Sequence, residues 1–227
     1  MTPYYEQDGI TIYHGDCREW LESVPACFRV DALITDPPYG VGYSKYASHD
    51  DDEDEYPAFI LDVVERAERH IDNGYACVMQ SAKWARRWHE LIPREWRVIA
   101  LPKTFVQMNM DKRMVYATDY ALVWTIGETP KRPGVAPRDW FVCNTADMRT
   151  KVKGHPCPRP IDGMKYLVSC ASEPGWTLLD PFAGSGTTLH AAKELGRRAI
   201  GIEIEERYCE IAAKRLSQGV LPLEMGA

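Results

Sequence analysis

The stretch LLDPFAGSGTTLHAAKELG, residues 178–196, is the part of the sequence that decides the fold. The segment WTLLD, which ends at Asp180, predicts a short buried strand. Gly184 and Gly186 then allow a sharp turn, and a helix is predicted from Gly186 to Leu195. The segment RAIGIE, residues 198–203, predicts another strand, so this region is a strand–turn–helix–strand unit of a parallel sheet.

The rest of the chain repeats this alternation of strands and helices, which predicts a doubly wound, mostly parallel α/β sheet. The other predicted strands are GITIYHG (9–15), VDALIT (30–35), YACVMQ (75–80), WRVIALPKTF (96–105) and DYALVWTIG (119–127). The last two favour an antiparallel pair at the sheet edge. The other predicted helices span residues 57–71, 82–91, 161–171 and 205–216. Residues 128–160 have no sustained period, which predicts either a loop or a small irregular insertion on the sheet.

The glycine turn after Asp180 is a candidate binding site for a ligand. Glycines let the backbone pass close to a bound molecule, and the helix that follows presents free N–H groups. No GK[ST] follows, which excludes a P-loop, and the absence of GxGxxG spacing argues against a dinucleotide. Glu203 ends the next predicted strand, where an acidic residue can bind ribose hydroxyls. The combination indicates a cofactor that contains a nucleoside.

A second informative stretch is VDALITDPPYGVGY, residues 30–43. Prolines cannot donate to a strand ladder, so the predicted strand must stop at Asp36. Gly40 and Gly42 then allow a sharp turn. Taken alone, this pattern is explained equally well by a strand end with a tight turn and by a functional site.

Length and composition limit the class of protein. A chain of 227 residues predicts one domain, and no segment is apolar enough for a membrane span or a secretory signal. None of the 7 cysteines lies in a CxxC pair, which predicts reduced thiols in a cytoplasm and no metal site.

The charge is distributed unevenly along the chain. Residues 1–80 carry a net charge of −12, residues 81–165 a net charge of +8, and residues 166–227 a net charge of −2. The basic middle third can form one face for a polyanion, or its charges can fold onto several faces. Composition alone does not separate these alternatives.

Together, DPPYG from Asp36 and DPFAGSGTT from Asp180 resemble the S-adenosylmethionine-dependent DNA amino-methyltransferases. The order of the two motifs is that of the β group, and the resemblance covers nearly the whole chain. It implies a Rossmann-like fold in circularly permuted order, one methyltransferase domain over residues 1–227, and a short target-recognition insertion at residues 128–154. GDCREWL from Gly15 and HPCPRP from His155 resemble further family segments, although Arg159 stands where lysine is usual.

The resemblance also implies a role for each site residue. Asp36 and the Pro37 carbonyl would accept hydrogen bonds from an exocyclic base amine, Pro38 would stiffen the wall, and Tyr39 would stack on a base flipped out of the duplex. Basic residues of the insertion would bind DNA phosphates; these are Lys131, Arg132, Lys151 and Lys153. The cofactor would be bound by Asp16, Cys17, Asp36, His155, Arg159, Pro160, Asp180, Pro181, Phe182, Ala183, Gly184, Ser185, Gly186, Thr187, Glu203 and Ile204.

The expected activity is methylation of adenine N6 in DNA, because family members whose tetrapeptide begins with Asp usually act on adenine. Cytosine N4 is one alternative, and RNA or a protein amide is another. A catalytically silent subunit that binds the cofactor or DNA is a third. The sequence leaves open whether the chain forms a homodimer and whether a cognate restriction enzyme accompanies it.

Overall fold

The computed structural model describes residues 1–38, 56–104, 117–128, 136–144 and 159–218, and within them eight strands form one sheet. The strands are β1 Tyr5–Gln7, β2 Ile10–His14, β3 Ala32–Thr35, β4 Gly74–Gln80, β5 Arg97–Pro102, β6 Thr118–Ile126, β7 Thr177–Asp180 and β8 Arg198–Glu203. Their order across the sheet is β1-β2-β8-β7-β3-β4-β6-β5. The sheet is parallel from β2 to β4, and β1, β6 and β5 join it by antiparallel pairs.

Helices cover both faces of this sheet. They are α1 Cys17–Ser23, α2 Tyr56–Glu68, α3 Trp88–Leu91, α4 Ile161–Ala171, α5 Thr187–Glu194 and α6 Glu206–Ser217, with a 3₁₀ segment at Ala82–Arg87. One apolar cluster joins α1, α2 and α3 to one face, and a second joins α4, α5 and α6 to the other. All four residues of β3 are buried, because both of its faces are covered.

The predicted fold class is confirmed, with two local omissions. The predicted antiparallel edge pair is the β5–β6 hairpin. The sequence reading did not assign β1, which is only three residues long, or α1, which Asp16 caps by accepting a hydrogen bond from the Arg18 N–H. The tryptophans at 84, 88 and 96 pack in the apolar cluster on the face that α1, α2 and α3 cover.

The direction in which successive strands are added to the sheet reverses between the parallel neighbours β3 and β7. From β3 the chain passes through α2 to β4 on one side, and from β7 it passes through α5 to β8 on the other side and the other face. Such a reversal opens a crevice outside the carboxyl ends of the two strands, which is where ligands bind in open α/β sheets.

Part of the region predicted as a loop or an irregular insertion extends the sheet. The Ala100 N–H donates to the Asp139 carbonyl at 2.8 Å, and the Phe141 N–H donates back to the Ala100 carbonyl at 2.9 Å. The Cys143 N–H donates to the Pro102 carbonyl at 2.7 Å. Residues 139–143 therefore run parallel to β5 along its outer side, which favours the second alternative for this stretch.

Asn144 and Asp162, which lie on either side of residues 145–158 in the sequence, are in contact at the start of α4. The Asn144 N–H donates to Asp162 Oδ2 at 2.6 Å. Cys143 lies beside Lys103 at the end of β5, so this meeting point is at the same edge of the sheet as the crevice.

Two composition-based expectations concern membranes and thiols. No helix in the described residues has the length and apolar character needed to cross a membrane. The six cysteines among the described residues are all free thiols, and five of them are buried.

Candidate active site

Four of the predicted site carboxylates lie along one edge of the sheet. β2, β8, β7 and β3 are parallel neighbours. Their carboxyl ends carry Asp16, Glu203, Asp180 and Asp36 respectively. At about 4.8 Å per strand, this row spans about 14 Å. The structure therefore brings together the two motifs that lie 144 residues apart in the sequence.

Asp180 is the buried centre of this row. Its Oδ1 accepts hydrogen bonds from Thr35 Oγ1 at 2.6 Å and from the Phe182 N–H at 3.1 Å. Burial raises the pKa of this carboxyl from 3.8 to about 6, against the lowering effect of hydrogen bonds from Thr35, Thr188 and Phe182. The Thr35 bond also joins the ends of β3 and β7 across the crevice. Sequence reading missed Thr35, because only the strand order places it beside Asp180.

The glycine turn is held in shape from behind. Gly186 has φ +77°, and a Cβ at this position would lie 2.9 Å from the Ala212 Cβ. Arg215 donates to the Ser185 carbonyl, to Ser185 Oγ and to Thr187 Oγ1. Glycine is therefore required at 186 both by backbone conformation and by the closeness of α6. Ser185 and Thr187 face inward and brace the turn.

Glu203 contributes a second brace. Its Oε2 accepts from the Gly184 N–H and its Oε1 accepts from the Glu205 N–H, each at 2.8 Å. Burial raises the pKa of this carboxyl, while the two backbone hydrogen bonds lower it. The sequence predicts that Glu203 binds the ribose hydroxyls. The observed bonds show that Glu203 also fixes the position of the turn.

Apolar surface lies beside Asp180 and Glu203 in the middle of the row. Phe182 is half-buried and packs edge-on against Phe59, with ring centroids 5.7 Å apart. Ile204 is exposed, with 40% of its surface accessible. These two side chains are suitable for contact with a flat ring.

Asp16 and Cys17 lie at the start of α1. Both Asp16 oxygens accept hydrogen bonds from the Arg18 guanidinium. The Cys17 side chain is buried, and burial raises the pKa of its thiol to about 12. The Cys17 side chain is thus a neutral part of the core. Any contact of Cys17 with a cofactor would have to come from its backbone.

Asp36 forms a forked ion pair. Arg159 Nε donates to Asp36 Oδ2 at 2.5 Å, and Arg159 Nη2 donates to Asp36 Oδ1 at 3.2 Å. Arg159 Nη1 donates to Asp119 Oδ2 at 3.2 Å, and Lys103 Nζ donates to Asp119 Oδ1 at 2.9 Å. Sequence reading missed Asp119 and Lys103, and no local pattern marks them.

The other predicted residues divide into two groups, those that the structure describes and those that it does not. Pro37 is buried and Pro38 is exposed after the end of β3, Pro160 precedes α4, and Pro181 and Ala183 are buried in the glycine turn. Six further predicted residues lie outside the described residues; these are Tyr39, Lys131, Arg132, Lys151, Lys153 and His155. No group of three or more His, Cys, Asp or Glu side chains among the described residues could hold a metal ion.

The crevice suits a ligand that carries a nucleoside and a positive charge. Asp180 and Glu203 are buried neighbours, and the effects that lower their pKa values are hydrogen bonds and not a nearby cation. Two desolvated carboxylates of this kind favour a cationic ligand. The apolar surface beside Glu203 and the N–H groups at the start of α5 complete the set of contacts.

Comparison with known proteins gives consistent results. A family model described as DNA methylase (N6_N4_Mtase) matches residues 94–214, a little over half of the chain. The chain is 26% identical to the type II methyltransferase M.ScaI of Streptomyces caespitosus, over 94% of this chain and 83% of that protein. It is 47% identical to M2.DpnII of Streptococcus pneumoniae over 47% of this chain and 38% of that protein.

Solved structures share the fold. The M1.HpyAVI–SAM complex has a TM-score of 0.73 and 27% identity, covering 92% of this chain and 99% of that one. The cytosine-N4-specific PvuII DNA methyltransferase has a TM-score of 0.75 at 20% identity, covering 96% of this chain and 90% of that one, a likeness of fold alone.

Proposed function

The chain belongs to the DNA methylase family, and from that membership we propose that it methylates the exocyclic N6 amine of adenine in DNA. Its cofactor is S-adenosylmethionine, which supplies an electrophilic methyl group on a sulfonium when bound. One observation carries the proposal. Asp36 of DPPY and Asp180 of the glycine turn end neighbouring parallel strands, so an acceptor for an amine and a cofactor cradle share one crevice.

The glycine-turn half of the crevice would hold the cofactor. Buried Asp180 and the N–H groups at the start of α5 suit the charged methionine end. Glu203 suits the ribose hydroxyls, because each of its oxygens keeps capacity for a second hydrogen bond. Phe182 and Ile204 suit the faces of the adenine ring, and Asp16 lies one strand further along, where it can accept from the adenine amine.

The DPPY half of the crevice would hold the target base. Asp36 and the Pro37 carbonyl accept hydrogen bonds from the two hydrogens of the base amine, which favours pyramidal nitrogen and frees its lone pair for attack. Proline cannot donate a hydrogen bond, so this wall presents acceptors and not competing donors. Positioning and electrostatics then supply most of the rate acceleration. Tyr39 follows directly in the sequence as the stacking surface.

Adenine is favoured because the tetrapeptide begins with Asp, whereas cytosine-specific relatives of this family more often begin with Ser. DNA would be held by the basic residues of the 128–154 region. The enzyme would act in the cytoplasm, the compartment that its free thiols favour.

The test is to methylate unmodified DNA with the purified protein and radiolabelled S-adenosylmethionine, and to identify the product nucleosides by mass spectrometry. The expected product is N6-methyladenine, and Asp36→Ala is the matched inactive control. N4-methylcytosine in excess would refute the adenine assignment. Transfer to RNA or protein but not to DNA would refute the DNA substrate, and cofactor binding without transfer to any of the three would indicate a silent subunit.

A further inference from the structure

Four side chains of alternating charge connect four elements at the edge of the crevice. Asp36 follows β3, Arg159 precedes α4, Asp119 lies in β6, and Lys103 follows β5. Between 15% and 21% of each side chain is exposed, so solvent screens these contacts only in part. The four formal charges sum to zero, so this cluster itself adds no net positive charge beside the place where a sulfonium must bind.

The contact between Arg159 and Asp36 is a two-point contact. Nε and Nη2 bond to different carboxylate oxygens, so the guanidinium fixes the plane of the carboxylate and not only its distance. A carboxylate has about four lone-pair positions, and the fork uses one on each oxygen. The fork by itself therefore does not exclude an amine from Asp36.

Asp119 prevents the guanidinium from turning. The third contact, from Arg159 Nη1 to Asp119 Oδ2 at 3.2 Å, lies outside the fork. Lys103 in turn bonds to the other Asp119 oxygen at 2.9 Å. Lysine at position 159 could not make this arrangement, because an ammonium is a point charge on a flexible stem and has no planar fork.

We propose that Arg159 is a positioning residue that orients the Asp36 carboxylate for the base amine, and that Asp119 and Lys103 hold Arg159 in that position. This inference rests on the proposed role of Asp36 as the acceptor. It assigns to Arg159 a different task from the cofactor contact that its sequence segment implies, and it brings two further residues into the site.

The kinetic test compares Arg159→Lys, Arg159→Ala and Asp119→Asn with wild type, using total methyl transfer to DNA so that the result does not depend on which base is modified. We expect kcat to fall about 10- to 100-fold in Arg159→Lys, since misplacement by about an ångström can cost that much. The KM for DNA and the Kd for S-adenosylmethionine should change less than threefold. Added guanidinium should restore part of the kcat of Arg159→Ala but not of Arg159→Lys.

The matched control is Arg94→Ala. Arg94 forms a partly buried ion pair with Glu68 away from the crevice, so its loss should leave kcat unchanged and should show no guanidinium rescue. A rise in the Kd for S-adenosylmethionine as large as the fall in kcat would overturn the inference and make Arg159 a cofactor residue. A fall in thermal stability with unchanged kcat would overturn it as well.

A second measurement does not depend on activity. A crystal structure of the protein with sinefungin, an unreactive analogue of the cofactor, should retain both bonds between Arg159 and Asp36. An Arg159 that leaves Asp36 for the carboxylate of the analogue would refute the inference, even if wild type methylated DNA as proposed. Conversely, a retained fork in a protein that transferred no methyl group would refute only the proposed function.

Discussion

Replacement of Asp180 by Asn should stabilise the fold at neutral pH while it weakens cofactor binding. The carboxyl is buried, and its pKa is raised from 3.8 to about 6. Between about pH 4 and pH 6, the carboxyl therefore keeps its proton in the folded state and has lost it in the unfolded chain. Such a group contributes stability below about pH 4, and that contribution is lost as pH rises through about 6.

The size of this effect follows from the shift. A change of about two pKa units, at about 1.4 kcal/mol per unit, makes wild type about 3 kcal/mol less stable above pH 6 than its protonated form would be. Asn at position 180 cannot ionise, and its carbonyl can still accept from Thr35 and Phe182. The free energy of unfolding of Asp180→Asn minus that of wild type should therefore increase by about 2 kcal/mol from pH 4.5 to pH 7.5.

Urea denaturation at a series of pH values measures this difference, and calorimetry of S-adenosylmethionine binding measures the cost to function. We expect the Kd of Asp180→Asn to rise at least tenfold, because the carboxylate that we propose to face the cationic cofactor is lost. Thr35→Val is the complementary variant. It removes a hydrogen bond that lowers the pKa of Asp180, and its stability deficit should grow with pH. A difference between Asp180→Asn and wild type that is flat or declines as pH rises would refute the reasoning.

Three further predictions concern catalysis and DNA binding. Asp36→Ala should abolish methyl transfer while the Kd for S-adenosylmethionine stays within about tenfold, and an equal loss of both would make Asp36 a cofactor or structural residue. Tyr39→Trp should retain activity and Tyr39→Ala should lose most of it, because a stacking surface is needed; equal behaviour of the two would contradict that role. Replacing four basic residues together should weaken DNA binding and flatten its dependence on salt, and an unchanged salt slope would place the DNA face elsewhere. These residues are Lys131, Arg132, Lys151 and Lys153.

Features that depend on local sequence were predictable. The glycine turn after Asp180 follows from a strand, two glycines and a helix that are contiguous in the sequence, and the structure has Gly186 at φ +77°. The helix at Ile161–Ala171 and the strand at Arg198–Glu203 have the predicted bounds. No local pattern shows that Asp36 and Asp180 end neighbouring strands, because that depends on the order of the strands in the sheet.

Features that depend on distant pairing were not predictable. Arg159 meets Asp36 across 123 residues and Asp119 across 40, so no periodicity or spacing records these bonds. The place of Glu203 at a strand end predicts a ligand contact, but its bond to the Gly184 N–H depends on how the turn folds back onto β8, which no local pattern records. The strand β1 escaped prediction because three residues are too few to show an alternation.

The bond between Asn144 and Asp162 has a consequence for how this enzyme can diversify. It joins two residues that flank residues 145–158 in the sequence, so the two ends of this segment lie close together at the edge of the sheet where the crevice opens. The entropic free-energy cost of closing such a loop rises by only about 0.6 kcal/mol for each doubling of its length. The segment can therefore be lengthened, shortened or exchanged as a cassette, while the strand ends that carry Asp36 and Asp180 keep their positions. A library that varies only these 14 residues would test whether the preferred DNA sequence changes while Asp36 and Asp180 keep their positions.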